Sequence, residues 1–189
     1  MKKTGLIAII LIAVIALAVF WGVGTYNRLV TAQTTVEQKA ADIDAQLQRR
    51  ADLIPNLVAT VKGYAAHEEA VFTAVTQARE QLMSADSMAE KSAANNTLTT
   101  ALGRLLAVAE AYPELKADKV FTGLMDELSG TENRISVARG NYNEAVTSFN
   151  TMIRRFPASI LANLFGFKAA EFFAADSNAT AVPTVSFEG

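Results

Sequence analysis

Hydrophobic positions in this chain follow two regimes, an unbroken block at the start and helical stripes over most of the rest. From Gly5 to Gly24 (GLIAIILIAVIALAVFWGVG) 20 residues pass without a charged side chain, with Lys2 and Lys3 just before them. A helix of that length spans about 30 Å, the hydrocarbon thickness of a bilayer, so the block predicts a transmembrane helix. Beyond it Leu29, Val36 and Ile43 recur every seven residues, with Gln33, Ala40 and Leu47 offset by four. This a/d pattern predicts that the same helix continues to about Arg50 as a coiled-coil-like seam.

Prolines punctuate the remainder, at 55, 113, 157 and 183. Pro55 suits a first helical turn after Asp52, where its missing N–H costs nothing. The second helix is then lined by Leu57, Val61, Tyr64, Ala65, Val71, Val75, Ala78 and Leu82 and fades near Ser84. A polar stretch, Ser84 to Asn96, reads as a connection. Leu98, Leu102, Leu105, Ala109 and Tyr112 predict a third helix that stops before Pro113. The fourth is the longest: Phe121, Leu124, Leu128, Thr131, Ile135, Ala138, Tyr142, Ala145, Phe149 and Ile153 keep three- and four-residue spacing. Gly123, Gly130 and Gly140 lie inside it, and close helix approach is the expected reason. Past Pro157 the segment containing Phe165, Phe167, Phe172 and Phe173, preceded by Phe156, predicts an amphipathic helix. Val182 to Phe187 alternates briefly in a tail.

The fold class is therefore all-α: an N-terminal transmembrane helix leading into an antiparallel bundle of three to four long helices, with a short C-terminal amphipathic helix. The expected divisions are a basic flank 1–4, the span 5–24, the bundle 25–156, the Phe-rich helix 157–174 and a tail 175–189. A cleaved signal peptide is the competing reading of the block, since Ala16-Leu17-Ala18 offers a small-x-small site. The apolar run continues past it, and Trp21 and Tyr26 stand where an interfacial aromatic belt would lie, which favours a retained single-pass anchor. Lys2 and Lys3, against Arg28 and Lys39 on the far side, orient the bundle away from the cytoplasm.

Composition narrows the chemistry. The chain has 189 residues, a formal charge of −2, no cysteine and one histidine, so thiol chemistry and thiolate metal sites are excluded and no nucleic-acid partner is implied. Two groups of polar residues fall within helical stretches: Arg49, Arg50 and Asp52 before Pro55, and Glu110, Glu132, Arg134 and Arg139 further on. Paired carboxylates with arginine support suit acid–base work or anion binding. No nucleophile or metal set accompanies them, so a structural polar network that sets helix register is the favoured reading. His67 is followed by Glu68 and Glu69, but one histidine without cysteine makes a poor zinc site, and a solvated helix face is expected there. No cofactor is called for. For Phe156, Phe165, Phe167, Phe172 and Phe173 three partners compete: the bundle itself, the membrane interface, and another subunit.

Long strings then line up in order: YNRLV at 26–30, RRADLIPNLVATVKGYAAHE at 49–68, LLAVAEAYPELKA at 105–117, GTENRISVARGNYNEAVTSFNTMIRRFP at 130–157 and GF at 166–167. In these the chain resembles the LemA family of bacterial membrane-associated proteins, from the anchor to about Phe173. The resemblance implies an N-terminal anchor, an antiparallel helical bundle and a bacterial inner membrane, and it implies no catalytic activity. The function expected is a non-enzymatic structural or scaffolding role through helix association and homo-oligomerisation, with other membrane proteins as possible partners and lipid contact through residues 5–24. A sensor or adaptor coupled to a partner's span is the alternative, and an unrecognised enzyme a third.

Overall fold

The computed structural model of the chain describes residues 2–174, so the alternating tail segment expected at 182–187 lies outside the described residues. Among those described, six helices and no strand are present: α1 (Lys2–Lys62), α2 (Glu69–Met83), α3 (Met88–Glu110), α4 (Pro113–Ala117), α5 (Lys119–Arg154) and α6 (Ala158–Leu164). The chain divides into two compact units. One comprises the chain up to Lys39 together with Tyr142–Ala170, and the other Ala40–Asn141 with the segment from Glu171.

The second unit is a four-helix bundle. Arg79 of α2 meets Ala51 of α1, so these two helices run oppositely. Lys91 pairs with Asp44 and Asn95 with Arg50, which makes α3 parallel to α1. Tyr64 meets Asp118 and Arg49 meets Glu127, so α5 returns antiparallel to α1. The order is up-down-up-down, and the apolar stripes converge: Ile43, Ile54, Leu57 and Val61 of α1, Phe72 and Val75 of α2, Leu98 and Leu105 of α3, and Phe121, Leu128 and Ile135 of α5 are all buried.

Pro55 does not begin a helix, contrary to the sequence expectation. It sits inside α1, which has 61 residues and runs on to Lys62. The proline removes the N–H that would bond the carbonyl of Ala51, four residues back. That carbonyl instead accepts a hydrogen bond from Arg79 Nε at 2.8 Å. With the orphan acceptor satisfied from α2, continuing the stripe through Ile54, Leu57 and Val61 outweighs the break. The chain turns at Gly63, and Tyr64, expected in the second stripe, stands exposed in the loop.

The polar stretch Ser84 to Asn96 is also mostly helical. Ser87 caps α3 by accepting from the Glu90 N–H at 3.2 Å, while the Glu90 carboxylate accepts from the Ser87 N–H at 3.0 Å. This reciprocal box starts the helix ten residues before the apolar stripe does. At the next connection Pro113 opens the single-turn α4, which the sequence reading did not anticipate, and the Asp118 carboxylate accepts from the Val120 and Phe121 N–H groups to start α5. The α5 stripe is buried or half-buried throughout, as its spacing predicts. Its glycines serve no close approach: a Cβ at Gly123 or Gly140 would meet nothing within 4 Å, and one at Gly130 only the end of the Arg134 side chain.

In the first unit, Leu29 and Val36 of α1 pack in a core with Tyr142, Val146, Phe149 and Ile153 of α5. The a positions of the expected seam are thus covered within the chain, while Gln33 is exposed and bonds Glu37. The Phe-rich helix is much shorter than expected. At Gly166, with φ of 75°, the N–H of Phe167 bonds the carbonyl of Ala162 and that of Gly166 bonds Asn163. This 6→1 and 5→2 pair ends α6, and residues 165–174 are not helical. Asn150 of α5 then holds the chain at Ala170, donating to its carbonyl at 2.9 Å and accepting its N–H at 2.8 Å.

Candidate functional site

Most charged side chains here lie on solvated helix faces, and Arg50 is the exception. Its side chain is 4% exposed. Nη1 donates to Asn95 Oδ1 at 2.5 Å and lies 2.6 Å from Glu132 Oε2, while Nη2 donates to Thr99 Oγ1 at 3.0 Å. The ion pair with Glu132 lacks hydrogen-bond alignment, and Arg50 Nε has no hydrogen-bond partner among the described residues. Burial lowers the guanidinium pKa and the Glu132 carboxylate opposes that shift. An arginine remains charged in such a setting, so one cation joins α1, α3 and α5 in the bundle core. Asn95 and Thr99 gave no sign of this in the sequence, since an Asn and a Thr in a helix look like any solvated face.

Other predicted residues disperse. Arg49 pairs with Glu127 at 2.8 Å on the bundle surface, which holds the Glu127 carboxyl below its ordinary value. Asp52 accepts from Gln48 within α1, and Glu110 pairs with Lys116 across the α3–α4 turn. Arg134 and Arg139 make no ion pair among the described residues. The structure thus unites Arg50 and Glu132 and separates the other predicted residues from them. Asp118, which sequence reasoning passed over, receives three hydrogen bonds: the Phe121 and Val120 N–H groups and the Tyr64 hydroxyl. The Phe121 N–H is the largest cause of its lowered pKa, and the bond to Asp118 raises that of Tyr64. His67 sits exposed in the loop after α1, and among the described residues no three His, Cys, Asp or Glu side chains gather to hold a metal ion.

The five phenylalanines also part company. Phe173 is buried in the bundle unit. In the other unit the Tyr26 ring lies 4.8 Å from Phe165 and 5.9 Å from Phe167, and Phe167 meets Phe149 edge-on at 6.4 Å. These rings border an open cavity of about 570 Å³ between α1 and the segment 165–170, with Gln33, Glu37 and Lys168 at its wall. Phe156 and Phe172 are exposed. A second groove, of about 380 Å³, runs between α1 and α5 in the bundle, lined by Asp42, Gln46, Asn133, Arg134, Val137 and Asn141.

An all-helical chain that begins with one long apolar helix agrees with the family comparison. The LemA family model matches residues 39–187. The chain belongs to the LemA family. Relatives include magnetosome protein MamQ 2 of Paramagnetospirillum magneticum, 30% identical over 174 residues, 78% of this chain and 64% of the relative. MamQ of Magnetospirillum gryphiswaldense is 29% identical over the same shares. Protein LemA of Metamycoplasma hominis is 28% identical over 152 residues, 78% of this chain and 68% of its own. This LemA-family chain therefore spans about 64% of the length of the MamQ relatives it matches.

Proposed function

We propose that this LemA-family protein is a single-pass membrane-anchored scaffold, without catalytic activity, that works by helix association with copies of itself and with other membrane proteins. One observation carries the reading: α1 is a single helix whose first stretch is built for lipid and whose last stretch is a central strut of the bundle. From Leu6 to Val23 every large apolar side chain is 44–81% exposed, a surface whose contact with water would be costly. Of the predicted polar residues, Arg49, Arg50, Asp52, Glu110 and Glu132 are engaged in pairing, with Arg50 as the bundle's internal tie. Lys2 and Lys3 favour a bundle outside the cytoplasm. That relatives named for a magnetosome and for LemA itself share the domain suits a structural part used in different settings.

The Leu29, Val36 and Ile43 side chains are buried within the chain, which speaks against self-association through that seam. The α1/α5 groove is the surface assigned to association, since Val137 stands 64% exposed beside it. The chain lacks cysteine, so Val137→Cys gives one thiol for crosslinking in native membranes. Discrete crosslinked species containing a second copy or a recurring neighbour are expected. A protein trapped only as a monomer, with no neighbour, would overturn the scaffold reading.

A further inference from the structure

Beyond the anchor, the same unit carries a second apolar surface that no described residue covers. Phe156, Ile160 and Leu164 are four residues apart along α6 and its approach, and they are 81%, 58% and 73% exposed. That spacing puts Ile160 and Leu164 on one face of α6, and Phe156 stands in the turn just before the helix, whose N-cap is Pro157. The surface is tied to the anchor's exit. Tyr26 lies two residues past Gly24, about 3 Å along the helix axis, and its ring is 4.8 Å from that of Phe165, the residue next to Leu164 and itself exposed. The last uncharged residues of the span and the first charge, Arg28, bracket Tyr26, so Tyr26 marks the boundary between hydrocarbon and headgroups. What touches Tyr26 is held at that depth.

Charge distinguishes the bilayer from a protein partner. From Ala145 to Ala170 there is no acidic residue, while Arg154, Arg155 and Lys168 are present and exposed. A cationic flank beside an apolar stripe suits an anionic phospholipid surface. We infer that α6 is a second membrane contact: its Ile160–Leu164 face, with Phe156 in the turn before it, lies in the headgroup region of an anionic bilayer, while Arg154, Arg155 and Lys168 meet lipid phosphates. Gly166 then has a purpose, since ending α6 there lets the chain leave the interface and reach Asn150.

This inference rests on residues 5–24 being a membrane anchor, and the experiment separates the two. Because the chain has no cysteine, single thiols at Ile12→Cys, Ile160→Cys, Leu164→Cys and Thr147→Cys can carry an environment-sensitive fluorophore in the full chain. Thr147 is an exposed polar position of α5 in the same unit. Each is reconstituted into vesicles of phosphatidylcholine and phosphatidylglycerol bearing nitroxides either at the headgroup or deep in the acyl chain. Labels at 160 and 164 should be quenched several-fold more than that at 147 by the headgroup nitroxide, with the difference reduced in phosphatidylcholine alone. Quenching at 160 and 164 equal to that at 147 overturns the inference, and so does a label shielded from aqueous iodide yet untouched by lipid nitroxide, the sign of a protein covering. An Ile12 label quenched by the deep nitroxide in those cases leaves the anchor intact, and one left unquenched removes both.

Discussion

The bundle and the anchor-bearing unit treat similar side chains in opposite ways. In the bundle, helical stripes meet other helices: Phe72, Leu98 and Phe121 are buried, and the one sealed charge among the described residues, Arg50, has partners from two other helices. In the other unit the large apolar residues of the span, and Ile160 and Leu164 of α6, remain exposed although they are no less hydrophobic. Hydrophobic spacing specifies a face that must leave water. It does not specify whether protein or lipid receives that face, and this difference separates the two units.

The comparison is most easily broken by truncation. Phe121→Ala should cost about 3–5 kcal/mol, and Tyr142→Ala the same range, because each ring fills packed space. Leu164→Ala should stay within about 0.5 kcal/mol. Denaturant titration of the chain in detergent micelles measures all three, and a Leu164 cost rivalling that of Phe121 would show that α6 packs on protein. Next is the buried cation. Glu132→Ala strands a sealed guanidinium and should cost about 3 kcal/mol, whereas Arg50→Met leaves a half-exposed carboxylate that can turn to water and should cost nearer 1 kcal/mol. The reverse order would mean that Asn95 and Thr99, not Glu132, hold Arg50.

A double-mutant cycle tests the repair of α1. Arg79→Met should cost about 1–3 kcal/mol by leaving the Ala51 carbonyl unsatisfied, and much less in a Pro55→Ala background, where the missing N–H returns. Additive losses would remove the link between Arg79 and Pro55. Smaller still, Gly123→Ala and Gly140→Ala should each stabilise the chain by up to about 1 kcal/mol, since a Cβ there meets nothing. Gly166→Ala should destabilise, because its φ of 75° disfavours any side chain. Thermal melts with opposite shifts would confirm the contrast.

The smallest effect is in pH. Asp118, Glu127 and Glu90 all have depressed folded pKa values, from the Phe121 N–H, the Arg49 guanidinium and the Ser87 N–H respectively. Folding therefore favours their charged forms. The resulting stability is present above the ordinary carboxylate range near 4 and is lost as pH falls through the lower folded values. Melting temperature should drop below about pH 4 in the wild type, and less steeply in Asp118→Asn. Equal slopes would remove Asp118 from the account.

Reading the chain for periodicity located α5 nearly to the residue, because its stripe runs on for over thirty residues without a competing signal. It missed the start of α3 although Ser87 and Glu90 stand at the spacing of a capping box. Polar residues there were read as a loop, when polarity at a helix end also marks a cap. It likewise carried the Phe-rich helix past Gly166, weighing aromatic density above the one residue suited to a positive φ. Of the predicted polar site, Arg50 and Glu132 were both named but never paired, since nothing in their spacing requires that they meet.

By itself, then, the sequence determined what depends on neighbours along the chain: the uncharged block from Gly5 to Gly24, the stripes of α2, α3 and α5, and the all-helical class. These follow from side-chain period and hydropathy, which are properties of consecutive residues. Tertiary structure alone decided the fate of Pro55, the partners of Arg50, and which phenylalanine is buried. Each turns on an atom supplied from far away: Arg79 Nε for the Ala51 carbonyl, Asn95 and Glu132 for the guanidinium, and the bundle for Phe173. A hydrogen bond or a packed ring exists only where another part of the chain comes within a few ångströms, and no local pattern records that approach.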